Sequence, residues 1–296
     1  MGEHSINYEK NRFPVLERSD NGDIIITDSR DDPRMTLVIS EWAEKGNSSC
    51  LNGFAIMVGE EWMLINGDHN ITSLFHNGNL VPSGLPADEM ASAAERPLPV
   101  MESFEDVCIL VSDTASLYKD TVVEKAARIW VVCSPHMMFV ADYIVSRQPV
   151  RLDTSFFINN SGNGLTVNVY NQHRLVLRRS KEALKLFQAL NYVDDKEAET
   201  TLVCKSVSAE QHGDLCEASR ESAIYGWTCD QTGCVHQRIY TFMMDAEKEI
   251  KFWHMRQADE FIRLEAPDHE NTLDFRFTKD GFYVRRNGRT RCWNCL

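Results

Sequence analysis

Apolar, β-branched segments of five to eight residues recur along the chain, separated by Gly, Asn, Asp and Pro. DIIITD, RMTLVISEW, GFAIMV, EWMLIN, DVCILVSD, RIWVVC, MMFVADYIV, LDTSFFI, GLTVNVY and HRLVLRR are examples. Such spacing predicts strands rather than amphipathic helices, and many short strands joined by turn residues predict an antiparallel sandwich or barrel. Hairpin punctuation agrees: VGEE at 58–61, NGD at 66–68, SGNG at 161–164, KDG at 279–281 and RNG at 286–288. We therefore expect an all-β protein, a large antiparallel β-sandwich with few short helices. An Ala-rich stretch at 87–95 lies between prolines as a helical candidate. SKEALKLFQAL, with apolar residues at 184, 186, 187, 189 and 190, fits helix or strand.

A chain of 296 residues with 43% hydrophobic content has ample material for a core. We expect a lead-in over 1–20 and one long sandwich over 20–296, any subdivision falling within the polar stretch 193–222. No run reaches the roughly 18 apolar residues of a membrane helix, and residues 1–10 hold no apolar leader core, so no membrane partner is expected. The net charge of -13, from 44 acidic and 31 basic residues, argues against nucleic acid. It also means that a polyanionic ligand would need a local basic cluster. RLVLRRSK at 174–181 and VRRNGRTR at 284–291 are candidates, and each reads equally as a solvated strand face.

Nine cysteines lie scattered without framework spacing, most in apolar surroundings, which favours a reducing, cytoplasmic setting. Cys229 with Cys234, and Cys292 with Cys295, could form local disulfides or give thiolates to zinc with His236 as a substitute ligand. The gaps follow no familiar zinc-ribbon spacing. The tryptophans Trp42, Trp62, Trp130, Trp227, Trp253 and Trp293 could include sugar-stacking faces, though most sit in apolar strand contexts that predict burial.

One ordered series is more specific. Phe54 anchors a strand, Gly59-Glu60 forms a turn, a second strand runs over 62–65 to Asn66, and a His76-Asn77 pair follows. VSDTASLYKD at 111–120 carries Tyr118, and RIWVVCSPHMMFVADYIVS carries Arg128 and Asp142. In order and spacing this series resembles the C-terminal sandwich domain of the heparinase II/III polysaccharide lyases, over roughly residues 20 to 180 and again in the closing strands LDFRFTKDGFYVRRNG. The family's HxHxDxxSF segment, counted back from Phe54, places its histidines on Gly46 and Ser48 and its Asp on Cys50. A later Asp falls on Asn66, and the HN pair is kept as His76-Asn77.

The resemblance implies β-elimination on a uronic-acid glycan: a neutralised carboxylate, a base for the C5 proton and an acid for the leaving oxygen. It also implies a zinc held by sandwich His and Asp residues, and a tyrosine supplied by a helical toroid domain or by another subunit. This sequence holds no series of paired amphipathic helices for a toroid. Candidate contacts to an acidic polysaccharide are His76, Asn77, Asn66, Tyr118 and Arg128; candidate metal ligands are His76, His69, Asp68 and Cys50. No residue is assigned as catalytic. Each has a structural alternative: a hydrogen-bonded strand-end histidine for His76, a turn residue for Asn66, and packing for Tyr118 and Arg128. The expected function is a lyase-type sandwich that contacts an acidic polysaccharide without completing catalysis alone. The alternatives are an active lyase working with a toroid, and a sandwich serving protein interaction.

Overall fold

A computed structural model describes residues 14–19, 23–31, 33–39, 53–65, 72–81, 100–115, 118, 122–133, 137–160, 164–206, 223–244, 254–265, 272–278 and 281–293. Among these the strands are β1 (Val15–Arg18), β2 (Ile24–Thr27), β3 (Met35–Ile39), β4 (Phe54–Val58), β5 (Glu61–Leu64), β6 (Thr72–His76), β7 (Asn79–Leu80), β8 (Val100–Phe104), β9 (Val107–Asp113), β10 (Val123–Cys133), β11 (Met137–Ile158) and β12 (Leu165–Asn171). There follow β13 (Arg174–Arg179), β14 (Glu182–Val193), β15 (Lys196–Glu197), β16 (Thr201–Ser206), β17 (Ala223–Thr228), β18 (Gly233–Met244), β19 (His254–Ala258), β20 (Phe261–Glu265), β21 (Thr272–Phe277), β22 (Phe282–Arg286) and β23 (Arg289–Trp293). All pairings are antiparallel, and the protein is an all-β sandwich.

The strands stack in layers. A middle sheet runs β8-β9-β10-β11-β18-β14-β13-β12. A front layer holds β1 to β7, β16 and β17. A meander of β19 to β23 packs on the rear of the middle sheet, where Phe139 lies 5.3 Å from Phe275 and Tyr143 stacks on Phe277 at 5.5 Å.

The middle sheet is thus covered on both faces, which explains runs such as DVCILV and RIWVVC that do not alternate with polar residues. Leu110, Trp130, Val140, Tyr240 and Phe242 face the front core with Phe54, Phe156 and Trp227. Their sequence neighbours Ile109, Ile129, Phe139 and Ile239 face the rear core with Leu264, Phe275 and Phe282. In the front core Phe156 meets Tyr240 at 5.0 Å and Phe242 at 5.4 Å, both edge-on. Each fully buried large side chain contributes roughly 1.5–3 kcal/mol. SKEALKLFQAL is strand here: β14 pairs with β13 on one side and β18 on the other, so two-sided burial overrides its helical composition. The candidate helix at 87–95 lies outside the described residues.

The 22-residue β11 joins the layers. From Met137 to Val145 it pairs with β10 and β18 in the middle sheet; from Arg151 it pairs with β6 and β17 in front. Its register against β18 breaks between Val145 and Val150, at the stretch containing Pro149, which has no N–H to give a ladder.

One row of buried polar residues crosses this junction. Ser112, Arg128, Asp142, Arg238 and Asn191 stand directly opposite one another on β9, β10, β11, β18 and β14. Arg128 donates from Nε to Asp142 Oδ1 at 2.6 Å and from Nη2 to Oδ2 at 2.9 Å. The Thr72 hydroxyl of β6 accepts from Arg128 Nη2 at 3.0 Å and donates to Asp142 Oδ2 at 2.5 Å. Thr72 meets Thr154 at 3.0 Å. Arg238, with no exposed surface, donates to Thr154 Oγ1, the Leu152 carbonyl and Asn191 Oδ1 at 3.0, 2.7 and 2.8 Å. The row therefore ties the middle sheet to β6 and the front half of β11.

Removing one member of a buried ion pair leaves an uncompensated charge, at about 3–5 kcal/mol. Asp142→Ala should lower the unfolding free energy by about that amount in urea titration, and Arg128→Met combined with Asp142→Leu should recover most of it. An Asp142→Ala protein as stable as the parent would show that the row is not structural.

Candidate functional site

The β6–β7 turn positions the first candidates. His76 ends β6, and Asn77 and Gly78 adopt left-handed backbone with φ of 51° and 79°, the pairing a two-residue I′ hairpin requires. The His76-Asn77 pair therefore closes a strand, because Asn77 tolerates positive φ and Gly78 prefers it. The Asn77 amide lies 3.2 Å from His76 Nε2. An amide nitrogen can only donate, so this nitrogen of His76 accepts.

The turn borders a cleft of about 390 Å³ that also takes in Phe75, Gln148, Arg151 and Thr232. Arg151 is the strand partner of Phe75, and its guanidinium sits 4.5 Å from the Phe75 ring centroid while Nη2 reaches Asp153 at 3.0 Å. The cation is thus fixed over an aromatic face and remains about one third exposed. The break in β11 delivers Gln148 and Arg151 to this place. Composition reading missed all three of Phe75, Gln148 and Arg151. The RQP step inside an otherwise strand-like run was the signal available.

Arg128 and Tyr118 lie elsewhere. Arg128 is 3% exposed and committed to Asp142 and Thr72, so it is an interior residue and no part of the cleft. Burial alone opposes its charge, and the Asp142 carboxylate outweighs this, raising the Arg128 pKa. Tyr118 packs against the cluster that holds Leu74, Val122 and Leu152, and burial pushes its phenol upward against the opposing pull of Arg128. Asn66, Asp68, His69 and Cys50 lie outside the described residues, as do Gly46 and Ser48.

Among the described residues no group of three or more His, Cys, Asp or Glu side chains converges as a metal site. His76 has the Asn77 amide on Nε2 and the cation Arg151 in the same cleft, so the described residues do not fit a zinc ion. Cys229 and Cys234 are free thiols, so the local disulfide that their spacing allowed is not formed. Cys229 is buried and accepts from Asn191; Cys292 is exposed on β23, and Cys295 lies outside the described residues. His236 is also spoken for: its Nε2 faces the carbonyls of Val150 and Gly233 at 3.0 and 3.1 Å, so that nitrogen carries a proton.

The basic tract at 284–291 is neutralised within the chain. Arg285 bonds Asp274, Arg286 bonds Asp106, Arg289 bonds Glu105, and Arg291 lies 3.7 Å from Glu102. Asp274 stands opposite Arg263 on one side and Arg285 on the other. In the first tract Arg179 pairs with Glu61 at 2.7 Å and Arg174 lies over Phe187, while Arg178 stays exposed. Of the tryptophans, Trp130, Trp227 and Trp293 are buried and Trp62 is 39% exposed. Trp42 and Trp253 lie outside the described residues. Among the described residues no helix is long and apolar enough to cross a membrane.

No family model matches the sequence, and no curated protein matches it. Among solved structures, heparan sulfate lyase HepC from Pedobacter heparinus has a TM-score of 0.58 at 8% identity, over 94% of this chain and 42% of that one. A mutant of HepC gives 0.59 at 9% identity over the same shares, and a crystal structure of Heparinase III gives 0.58 at 8% over 95% and 42%. The likeness is one of fold, and the chain spans 42% of the length of these neighbours.

Burial, with Arg238 beside it, lowers the His236 pKa to about 4 from the ordinary 6.5. The unfolded chain then binds a proton that the folded one refuses, so stability falls as pH drops from about 6.5 to 4. The loss attributable to this residue should be on the order of 3 kcal/mol in urea titrations across that window, and His236→Gln should flatten it. An unchanged profile in the variant would refute the assignment.

Proposed function

We propose that this chain is a polysaccharide-lyase-type sandwich module that holds an acidic glycan in the cleft between the Asn77-Gly78 turn and the break in β11. The observation that carries the proposal is Arg151, a cation held over the Phe75 ring beside His76. A guanidinium matches a uronate carboxylate or a sulfate in two parallel hydrogen bonds, and the amides of Asn77 and Gln148 suit sugar hydroxyls. The fold shared with heparan sulfate lyases supports the same substrate class. In β-elimination Arg151 would neutralise the carboxylate and His76 would be one proton-transfer group. The second group would come from outside this cleft. An active lyase, completed by a helical toroid domain or another subunit, is the second reading, favoured by the chain's 42% share of its structural neighbours.

The wild-type chain should be retarded on immobilised heparin at low salt, and Arg151→Ala should weaken retention about tenfold or more while Arg178→Ala does little. Failure to bind heparin, chondroitin sulfate and alginate alike would overturn the proposal and favour an interaction sandwich. An unsaturated product absorbing in the short-wavelength ultraviolet, formed by the chain alone, would instead establish a complete lyase.

A further inference from the structure

A second cleft opens where the β12–β13 turn, β14, β15 and β19 meet, in two parts of about 360 and 560 Å³ that share His173, Glu197 and Ala198. It shares no lining residue with the Arg151 cleft. Its floor is irregular: the pairing of β14 with β18 slips between Gln188 and Leu190, so Ala189 is an extra residue and the strand bulges. Bulges re-aim side chains and are frequent beside binding sites.

The bulge sets Gln188 beneath the opening. Gln188 is 4% exposed, and its Oε1 lies 2.5 Å from Thr200 Oγ1 and 3.1 Å from His173 Nδ1. The buried Gln188 amide therefore holds the His173 ring through Nδ1 and leaves Nε2 outside that contact. The surrounding backbone is held as well: the Gln188 N–H donates to the His173 carbonyl at 2.9 Å, and the buried Trp227 donates from Nε1 to the Gln172 carbonyl at 2.6 Å. An exposed imidazole is thereby held in place by a buried amide.

Glu197 and Glu199 line the same cleft, so its chemistry is rich in acceptors. Acceptors of this kind take hydroxyl donors. Two carboxylates on a chain of net charge -13 repel a polyanion. Arg174 is the cation present, and it is parked 4.9 Å from the Phe187 ring centroid. We propose that this cleft binds a neutral, hydroxyl-rich saccharide, with Glu197 accepting from its hydroxyls and His173 Nε2 hydrogen-bonded to another. The proposal does not depend on the acidic-glycan reading of the other cleft.

Titration calorimetry with cellohexaose, maltohexaose, mannohexaose and N-acetylchitohexaose, and separately with a heparin oligosaccharide, tests it on the full chain. At least one neutral sugar should bind. His173→Ala and Glu197→Gln should each weaken that binding about tenfold or more, and Arg151→Ala should leave it unchanged. Glu197 is exposed, so Glu197→Gln stands as the informative variant if His173→Ala fails to fold. The proposal is overturned if none of the four sugars binds, if binding survives both substitutions, or if Arg151→Ala abolishes it.

Discussion

The sandwich is organised around a buried carboxylate, Asp142, and the two guanidinium groups that flank it across neighbouring strands. Water cannot satisfy these groups, so their partners must be protein, and the partners come from five elements in two layers. A slip of one residue on β10 or β18 would turn a charged member of the row into an apolar core, and a slip on β14 would do the same to the Asn191 amide. The contribution of the row is therefore register more than net free energy, since a buried ion pair scarcely outperforms an apolar replacement of equal volume. The same device recurs on the rear sheet, where Asp274 stands between Arg263 and Arg285.

Much of this architecture is legible in the residues, for local reasons. Gly59-Glu60 and Asn287-Gly288 turn where their chemistry says they should, with positive φ at Gly59, Asn287 and Gly288. Arg128 and Asp142 fall opposite each other once the hairpin between them is drawn. What escapes is long-range. Nothing near 182–193 says that the segment is clasped by strands on both sides, and that clasp decides strand over helix. Arg286 and Asp106 are 180 positions apart, so a tract that looks like a polyanion site is compensated by a distant acidic hairpin.

The candidate sites follow the same division. His76 and Asn77 were visible as a motif, but their role as strand end and turn depends on the pairing of β6 with β7. Arg151 became visible only when β11 changed layers and set it on Phe75. Both clefts lie beside a break in strand regularity, the Val145/Val150 shift and the β14 bulge. A regular ladder leaves little room between its side chains, so the openings form where the ladder is interrupted.

The middle sheet, apolar on both faces, has a consequence for how such a domain can change over evolution. A sheet with one wet side can lose a peripheral element and stay soluble. This one cannot, because Phe139, Ile129 and Ile239 face the small rear meander. Trimming that meander would expose a contiguous apolar surface of the kind that recruits partners or aggregates. The closing strands are thus a permanent cover for the centre of the fold, and a lineage that dropped them would have to acquire another protein surface in their place.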